Sequence, residues 1–389
     1  MRRVLVLTTH HPSRREPSRA LYSYYTYGAL SRRAEIRFVS PWPFWTRLRF
    51  PGDLVRPPRE RWDGLEIEYP PFFSVPGAPV VHGLGMTASL ARRVAAIRRE
   101  FPFEAILSAW AYPDTVASAV LAAYHRVPLV TTVLGSDINE LAQRPWIAPQ
   151  IRAGLARARR VVAVSEALGR EVVRLGVASD RVVVLHNGVD GEVFRPRDRA
   201  AARAAVGVDP GRHLVGYVGN LAPEKGADVL VDAAAILRDR GGAPVDVAII
   251  GAGGYEAELR SRIAARGIGD RVRLLGRRLH DEVPTWIGAF DVLCLPSRRE
   301  GCPNVVLEAL ASGRPVVASE VGGVPELLQK DNGLLVPPSR PDALADAIAA
   351  ALGRSWDEAA LRATVPNLSW DRVGDAYARL LDEVIEEAR

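Results

Sequence analysis

The chain has 389 residues, of which 48% are hydrophobic and 25% charged, enough apolar material for the cores of two domains. This composition excludes a disordered, collagen-like or coiled-coil protein, and the longest uncharged apolar stretches, around 115–124 and 127–135, are shorter than the roughly 18 residues of a membrane-spanning helix. Residues 1–190 hold 26 arginines against 16 carboxylates, a formal charge of +10, while the remaining residues carry −4, so the first half is expected to face something anionic.

Short β-rich runs alternate with helical patterns along the whole chain. In the first half, strands are predicted at 4–8, 36–39, 105–107, 129–133, 161–164 and 182–185, with helices such as 89–99 and 166–175. After a polar connection at 191–213 with one short helix, strands are predicted at 214–218, 245–250, 272–274, 292–295 and 315–318, with helices at 227–238, 256–266, 304–311 and 371–387. This alternation and its restart predict two doubly wound α/β domains, 1–190 and 191–370, which face a central crevice where ligands bind.

The two cysteines and the N-terminus indicate the compartment. Cys294 and Cys302 form no CxxC motif, so neither a disulfide framework nor a cysteine zinc site is expected. The basic start MRRVLVLTTHH contains too short an apolar run for a secretory signal. We therefore expect a cytoplasmic protein.

The segment LPSRREGCPNVVLEALASGRPVVAS, residues 295–319, places two carboxylates where a strand passes into a helix. Glu300 lies in the loop, Asn304 is predicted as the N-cap, and Glu308 lies one turn into the helix on the same face as Asn304. A carboxylate can accept two hydrogen bonds from a vicinal diol, as in ribose or a hexose, and the N–H groups of 301–305 suit a phosphate. The alternative is a solvated glutamate and a partly exposed helical one.

A second strand-to-helix loop occurs in GYVGNLAPEKGADVL, residues 216–230. Backbone donors and Lys225 at this position form a phosphate cradle, although an ordinary turn with a solvated lysine is the commoner case. Lys225 is one of only two lysines in the chain, which favours function. The glycine-rich segment IIGAGGYEAEL, residues 249–259, lacks the full G-x-G-x-x-G motif and predicts a tight turn rather than a dinucleotide site.

The segment PWPFWTRLRF, residues 41–50, mixes aromatic side chains with Arg47 and Arg49. It is either a loop that packs its own aromatics or a lip that touches a membrane interface. With the arginines at 92, 93, 98, 99, 157, 159 and 160, it favours an anionic or lipid-linked acceptor and peripheral contact with the inner membrane face. No nucleic-acid recognition module is visible, so nucleic acid is not an expected partner.

Five short motifs occur in one order: HNGVD at 186–190, the EKG loop at 224–226, VRLLGR at 272–277, the Glu-x7-Glu element at 300–308 and SEVGGVPELL at 319–328. Together they resemble the retaining glycosyltransferases of family 4, which have the GT-B fold, and the match is densest over 182–340. The resemblance implies a first domain that binds the acceptor and a second that binds a nucleotide-sugar donor. It also implies a C-terminal helix, about 371–389, that crosses back to the first domain.

The resemblance also implies roles for individual residues. Glu308 would hold the ribose hydroxyls, and Glu300 would contact the transferred sugar. Lys225 would neutralise the diphosphate leaving group, with Asp137 also at the reacting centre. The remaining donor-binding positions would be Gly219, Asn220, Gly276, Arg277, Gly301, Cys302, Pro303, Asn304 and Val305.

Three positions depart from the family pattern. Asn220 stands where an arginine usually accompanies the lysine, and Leu134 stands where a histidine usually precedes Gly-x-Asp. In place of a Gly-Gly pair after the first strand, the chain offers His10, His11 and Arg14, which we assign to the acceptor side. These departures predict a divergent subgroup with a different sugar, and impaired activity is the alternative.

No Asp-x-Asp occurs in the chain, so we predict transfer without a metal or other cofactor. The resemblance implies that retention comes from front-face attack. The sequence assigns no carboxylate as a covalent nucleophile. The rival functions are an epimerase-like sugar-nucleotide enzyme of the same fold, a non-catalytic nucleotide-sugar-binding protein and, third, an NAD-dependent dehydrogenase.

Overall fold

The computed structural model describes residues 1–12, 20–45, 59–62, 64–241, 243–365 and 369–389. The chain divides into two compact units, Met1–Gly188 with Trp370–Arg389, and Val189–Ser369. No helix within the described residues combines the length and apolarity that crossing a bilayer requires.

The first unit is built on an eight-stranded sheet in the order β10-β9-β8-β7-β1-β2-β5-β4, in which only β4 is antiparallel to its neighbour. A short parallel ribbon, β3 with β6, lies apart from it. The strands are β1 Arg3–Leu7, β2 Glu35–Val39, β3 Trp42–Pro43, β4 Arg59–Trp62, β5 Leu65–Glu68, β6 Pro71–Phe72, β7 Ala105–Ala109, β8 Leu129–Val133, β9 Arg160–Ala163 and β10 Val182–Val184. The helices are α1 Leu21–Ser31, α2 His82–Glu100, α3 Val116–His125, α4 Ser136–Asn139, α5 Ala148–Arg157 and α6 Glu166–Arg174.

The second unit has six strands, all parallel, in the order β13-β12-β11-β14-β15-β16. The strands are β11 His213–Val218, β12 Val245–Ile250, β13 Val272–Leu274, β14 Val292–Leu295, β15 Val316–Ser319 and β16 Gly333–Val336. The helices are α7 Arg199–Val206, α8 Ala227–Asp239, α9 Glu256–Arg266, α10 Val283–Ala289, α11 Asn304–Ala311, α12 Val324–Leu327, α13 Pro341–Leu352 and α14 Glu358–Ala363. Apolar residues of β14 and β15 are fully buried, as expected for a parallel sheet covered by helices on both faces.

The last helix, α15 Trp370–Glu387, belongs to the first unit. Its apolar face joins the core beneath α1 and contributes Tyr377, Leu381 and Val384, all nearly without exposed surface. A Cβ placed on Gly374 would lie 2.8 Å from the Cβ of Ala29, so the two helices approach too closely for a larger residue there. The hydroxyl groups of Tyr377 and Thr132 form a hydrogen bond of 2.8 Å across the same interface.

Two helices of the first unit differ from the sequence prediction. The pattern does not predict α1, because its four tyrosines favour strands in sequence reasoning. Helix α2 begins at His82 rather than at 89, and its first turns contain the helix-disfavouring residues Gly83 and Gly85. A Cβ on Gly85 would lie 2.2 Å from the carbonyl oxygen of Phe73, so close packing requires this glycine.

We expect Leu381→Ala to lower the free energy of unfolding of the first unit by about 2–5 kcal/mol, because it leaves a cavity between α15 and the sheet. Glu383→Ala, an exposed change on the same helix, is the control and should have little effect. Urea denaturation followed by circular dichroism measures both. Equal effects of the two substitutions would contradict the packing of α15 described above.

Candidate active site

The candidate donor site of the second unit lies where the carboxyl ends of its parallel strands meet. Backbone hydrogen bonds of 3.0 Å link Gly219 to Ile250 and Gly251 to Gly276, so the ends of β11, β12 and β13 lie side by side. The predicted tight turn at 249–259 is confirmed: a Cβ on Gly253 would lie 2.1 Å from the carbonyl oxygen of Leu221. The structure therefore brings the predicted donor residues Gly219, Asn220, Lys225, Gly276, Arg277 and 300–305 to one edge of one sheet.

An ion pair joins two of the predicted catalytic residues. The Lys225 ammonium donates to both carboxylate oxygens of Glu300, at 2.8 and 2.9 Å. The Ser297 hydroxyl donates to the same carboxylate at 2.7 Å. The side chain of Glu300 is only 6% exposed and that of Lys225 29%, so the ammonium is the accessible member of the pair. An anion that reaches this edge would meet the ammonium first.

Arg298 fastens the loop of Glu300 to the loop of Lys225. Its guanidinium donates to both carboxylate oxygens of Asp228, at 2.9 and 2.7 Å, and to the carbonyl oxygen of Pro223. Its backbone N–H donates to the carbonyl oxygen of Glu224 at 2.8 Å. Although burial opposes it, hydrogen bonding to Arg298 holds the pKa of Asp228 below its usual value. Both residues position the ion pair, and sequence reasoning missed them.

Two glycines allow the surrounding loops to come close enough. Gly226 has a φ of +67°, and a Cβ there would lie 1.9 Å from the carbonyl oxygen of Pro296. Gly322 has a φ of +53°, and a Cβ there would lie 2.0 Å from the carbonyl oxygen of Glu300. The neighbouring Gly323 donates its N–H to Gly301 at 3.0 Å. The motif SEVGGVPELL thus packs against the backbone of the Glu300 loop and donates a hydrogen bond to it.

Helix α11 begins one residue away from the predicted cap. The N-cap is Pro303, with no side-chain cap, and Asn304 is the first helical residue, so the prediction of Asn304 as N-cap is wrong. The fixed φ of Pro303 suits the residue that precedes the first helical turn, so the N-cap lies at 303 instead of 304. Cys302 and Pro303 are buried, whereas Gly301, Asn304 and Val305 retain some exposed surface.

Glu308 is a carboxylate without a partner. It lies in α11 four residues after Asn304, is partly buried, and has no hydrogen bond or ion pair to its side chain within the described part of the chain. Burial raises the pKa of its carboxyl to about 7. Holding an unpaired carboxylate in such surroundings costs stability, which is typical of a group reserved for a ligand.

Asp137 of the first unit is fully buried. One carboxylate oxygen accepts the N–H groups of Leu134 and Gly135 at 3.0 and 2.8 Å, and the other accepts that of Ala111 at 2.9 Å. Burial raises its pKa. A carboxylate enclosed in this way shapes the turn after β8 and offers no surface to a substrate. The predicted catalytic role of Asp137 does not fit this placement, and we treat it as a positioning residue.

The predicted acceptor-side residues have different surroundings. His10 is partly buried and stacks on Trp110 with ring centroids 4.0 Å apart, at the carboxyl ends of β1 and β7. His11 lies in the core, where burial lowers its pKa to about 4; its contact with the acceptor stays a prediction. Buried Asp114, whose pKa burial raises to about 7, accepts a hydrogen bond of 3.0 Å from the Thr9 hydroxyl. Arg14 lies outside the described residues.

In the aromatic segment at 41–50, one side chain is packed inside the unit and another is exposed. Trp42 is buried and donates its indole N–H to the carbonyl oxygen of Tyr69 at 2.8 Å. Phe44 is exposed and stacks on Phe73, also exposed, with centroids 5.9 Å apart. Residues 46–50, including Arg47 and Arg49, lie outside the described part of the chain.

Several arginines of the predicted basic clusters have structural partners. Arg93 pairs with Glu68, and both Arg159 and Arg160 pair with Glu387. Arg98 lies over the ring of Phe103. Arg92, Arg99 and Arg157 remain exposed.

Comparison with known proteins identifies the family. Residues 52–193 match Glycosyltransferase Family 4, and residues 212–354 match Glycosyl transferases group 1. The lipopolysaccharide core biosynthesis mannosyltransferase LpsB of Rhizobium meliloti is 33% identical over 261 residues, 64% of this chain and 73% of that protein. The chain belongs to glycosyltransferase family 4. The family predicted from the five motifs is confirmed.

Further similar proteins show how far the similarity extends. A D-inositol 3-phosphate glycosyltransferase of Jonesia denitrificans is 36% identical over 258 residues, and the aligned part spans 61% of each protein. Sucrose-phosphate synthase from Thermosynechococcus elongatus superimposes with a TM-score of 0.80 over 100% of both chains at 20% identity. Anabaena Alr3699/HepE, solved in complex with UDP, gives 0.70 at 21% identity over 100% of this chain and 98% of that one. These likenesses confirm the GT-B fold class.

Glu308 makes stability depend on pH. Its native pKa of about 7 lies above the ordinary value of 4.5, so its contribution is fully present below about 4.5 and is lost as the pH rises through 7. We expect Glu308→Gln to raise the Tm at pH 8 by roughly 3–6 °C and to change it little at pH 4.5.

Thermal denaturation at the two pH values measures this difference. Glu320→Gln, an exposed change in the same unit, is the control and should behave alike at both. A Glu308→Gln effect of equal size at pH 4.5 and pH 8 would contradict the burial of this carboxylate.

Proposed function

We propose that this protein transfers a sugar from a nucleoside-diphosphate sugar to an acceptor hydroxyl, with retention at the anomeric carbon and without a metal ion. The observation that carries this proposal is the Lys225–Glu300 ion pair at the carboxyl ends of the strands, followed in α11 by the unpaired carboxylate of Glu308. Family membership supports the reaction class. The UDP in the HepE structure favours a uridine nucleotide as the donor.

Each residue has a defined task in the proposed reaction. Glu308 accepts hydrogen bonds from the ribose hydroxyls, and the Lys225 ammonium binds the diphosphate. Once the diphosphate binds Lys225, the Glu300 carboxylate can accept hydrogen bonds from the hydroxyls of the transferred sugar. Asn220 is exposed and carries no charge, so the cation that we assign to the leaving group is Lys225.

The transfer exchanges one bond at the anomeric carbon and moves one proton. The acceptor oxygen bonds to the anomeric carbon, the bond from that carbon to the diphosphate breaks, and the acceptor proton passes to the departing diphosphate. Negative charge grows on the diphosphate, and a fixed ammonium stabilises that charge more in the transition state than in the bound donor. Asp137 is enclosed by backbone N–H groups and has no exposed surface, which supports front-face attack over a covalent intermediate on that carboxylate.

The donor is tested by thermal shift with UDP, GDP, ADP, dTDP and NAD. A nucleoside diphosphate at about 100 times its Kd should stabilise the protein by roughly 2.7 kcal/mol, a shift of a few degrees. We expect one nucleoside diphosphate, UDP first, to give this shift and Glu308→Ala to abolish it. A shift with NAD alone would contradict the proposed donor class.

Activity with that donor tests the reaction. We expect donor consumption to require an acceptor, to give a product of unchanged anomeric configuration, and to continue in excess EDTA. Isomerisation of the donor without acceptor would instead identify an epimerase-like enzyme, and binding without any turnover would identify a non-catalytic protein. Loss of turnover in EDTA would overturn metal independence.

Lys225→Ala is expected to lower kcat/KM by about 10²–10³-fold, because it removes the cation nearest the leaving group. Lys225→Arg keeps the charge and should retain part of the activity. The matched control is Lys330→Ala, which removes the other lysine, exposed and remote from the strand edge in sequence. Initial rates at varied donor concentration measure all three, and wild-type turnover in Lys225→Ala would contradict the assignment.

We propose further that the acceptor is lipid-linked and that the first unit docks on an anionic bilayer surface. Six exposed apolar side chains support this: Phe44, Phe73, Val75, Val80, Leu84 and Trp146. Phe44 stacks on Phe73, and Phe73 donates its N–H to Ser89 of α2, the helix that also carries Leu84. Gln150 bridges the carbonyl oxygens of Val80 and Trp146. The charge of +10 in residues 1–190 matches an anionic surface.

Co-sedimentation with vesicles of phosphatidylglycerol and phosphatidylcholine at physiological salt tests the docking. We expect binding by the wild type and a large loss in the Leu84→Ser, Trp146→Ser double variant, whose side chains are 68% and 79% exposed. Tyr124→Ser is the control. Tyr124 is 77% exposed but lies at the C-terminal end of α3, a helix that carries none of the six apolar side chains. No binding by the wild type, or equal loss in the control, would contradict membrane docking.

A further inference from the structure

The second unit contains a cavity at the opposite edge of its sheet from the donor site. The cavity has a volume of about 540 Å³ and lies at the amino ends of β11, β14 and β15, where it is bordered by His213, Asp291 and Pro315. Helix α7 and residues 351–358, between α13 and α14, form its other walls. Nothing in the proposed transfer reaction uses this cavity.

Five arginines and only two carboxylates line the cavity. The arginines are Arg199, Arg203, Arg212, Arg314 and Arg354, and the carboxylates are Asp291 and Glu358. Asp291 is shared between Arg199 and Arg203, with contacts of 2.7 and 2.6 Å, and Glu358 pairs with Arg314. Asp246, outside the lining, pairs with Arg212. Even with that third carboxylate counted, the cavity retains a formal charge of +2.

Two of the arginines are fixed parts of the fold. The side chain of Arg203 donates to the carbonyl oxygens of Ala289 and Pro210, at 3.1 and 3.0 Å, as well as to Asp291. Arg314 is 3% exposed and donates to the carbonyl oxygen of Gly288 at 3.0 Å, yet its Nε is buried without a hydrogen-bond partner. Both guanidinium groups are therefore held rigidly in the wall of the cavity.

The other three arginines keep N–H groups available. Arg199 uses one terminal nitrogen for Asp291, and Arg212 uses Nε and one terminal nitrogen for Asp246. Arg354 has no carboxylate partner anywhere in the described ranges; it donates to the carbonyl oxygen of Lys330 and stacks on Trp356, 4.1 Å from the ring centroid. Planar guanidinium groups with spare donors are the preferred protein ligands for phosphoryl oxygens.

We propose that this cavity is a second binding site, separate from the donor site, for a small molecule that carries phosphoryl groups. The phosphoryl oxygens accept hydrogen bonds from Arg199, Arg212 and Arg354, and the buried arginines supply fixed positive charge behind them. Leu352, Pro315 and Trp356 give one apolar wall against the rest of the ligand. The volume suits a small metabolite rather than a polymer.

The test measures binding of inorganic pyrophosphate by isothermal titration calorimetry at low salt. All proteins carry Lys225→Ala, which removes the ammonium of the proposed donor site, so a loss of binding that only the test variant shows reports on this cavity and not on the donor site. The test variant adds Arg199→Ala and Arg354→Ala, both exposed positions. The matched control adds Arg240→Ala and Arg340→Ala, which remove the same charge from exposed pairs with Asp346 and Asp342 of the same unit.

We expect saturable binding with one site per chain in the Lys225→Ala protein. Affinity should be at least about tenfold weaker in the test variant and unchanged in the control. Circular dichroism and the Tm establish that each variant is folded. Absence of saturable binding in the Lys225→Ala protein, or equal weakening in test and control variants, would overturn the proposal.

Discussion

The bidentate ion pair between Arg298 and Asp228 fixes the geometry on which the candidate donor site depends. Lys225 and Glu300 lie in segments that follow different strands: Lys225 ends the short 3-10 helix Pro223–Lys225, and the segment that carries Glu300 contains no helix or strand. Arg298 bonds to Asp228, to Pro223 and, through its backbone, to Glu224, so one residue joins the two loops. Close approach at Gly226 then brings the ammonium of Lys225 onto the carboxylate of Glu300.

The two glutamates of the candidate donor site lower the stability of the fold. Glu300 is nearly buried but paired, whereas Glu308 is partly buried and unpaired, with a pKa raised to about 7. The apolar face of α11 is packed in the core without help from either carboxylate. Functional sites commonly retain such destabilising groups because a bound ligand supplies the missing partner.

The sequence predicts the sheet better than the site. The strands at 129–133, 245–250, 272–274 and 292–295 were predictable to the residue, because buried parallel strands are short runs of β-branched and aliphatic residues. The Arg298–Asp228 contact joins residues 70 positions apart and leaves no local pattern. Asp137 illustrates the converse: a carboxylate in a family motif is expected to act chemically, yet its hydrogen bonds show that it shapes a turn. Whether a carboxylate acts on a ligand or shapes a turn depends on its burial and on its hydrogen-bond partners. A single sequence shows neither of these.

The central claim is that the Lys225 ammonium leaves Glu300 for the donor diphosphate. Because the chain has only two lysines, lysine labelled with ¹⁵N at Nζ gives two ammonium signals in a heteronuclear NMR spectrum, and Lys330→Arg assigns them. The account predicts that the nucleoside diphosphate which stabilises the protein shifts the Lys225 signal and leaves that of Lys330 in place. A bound nucleoside diphosphate that leaves the Lys225 signal unchanged would contradict it.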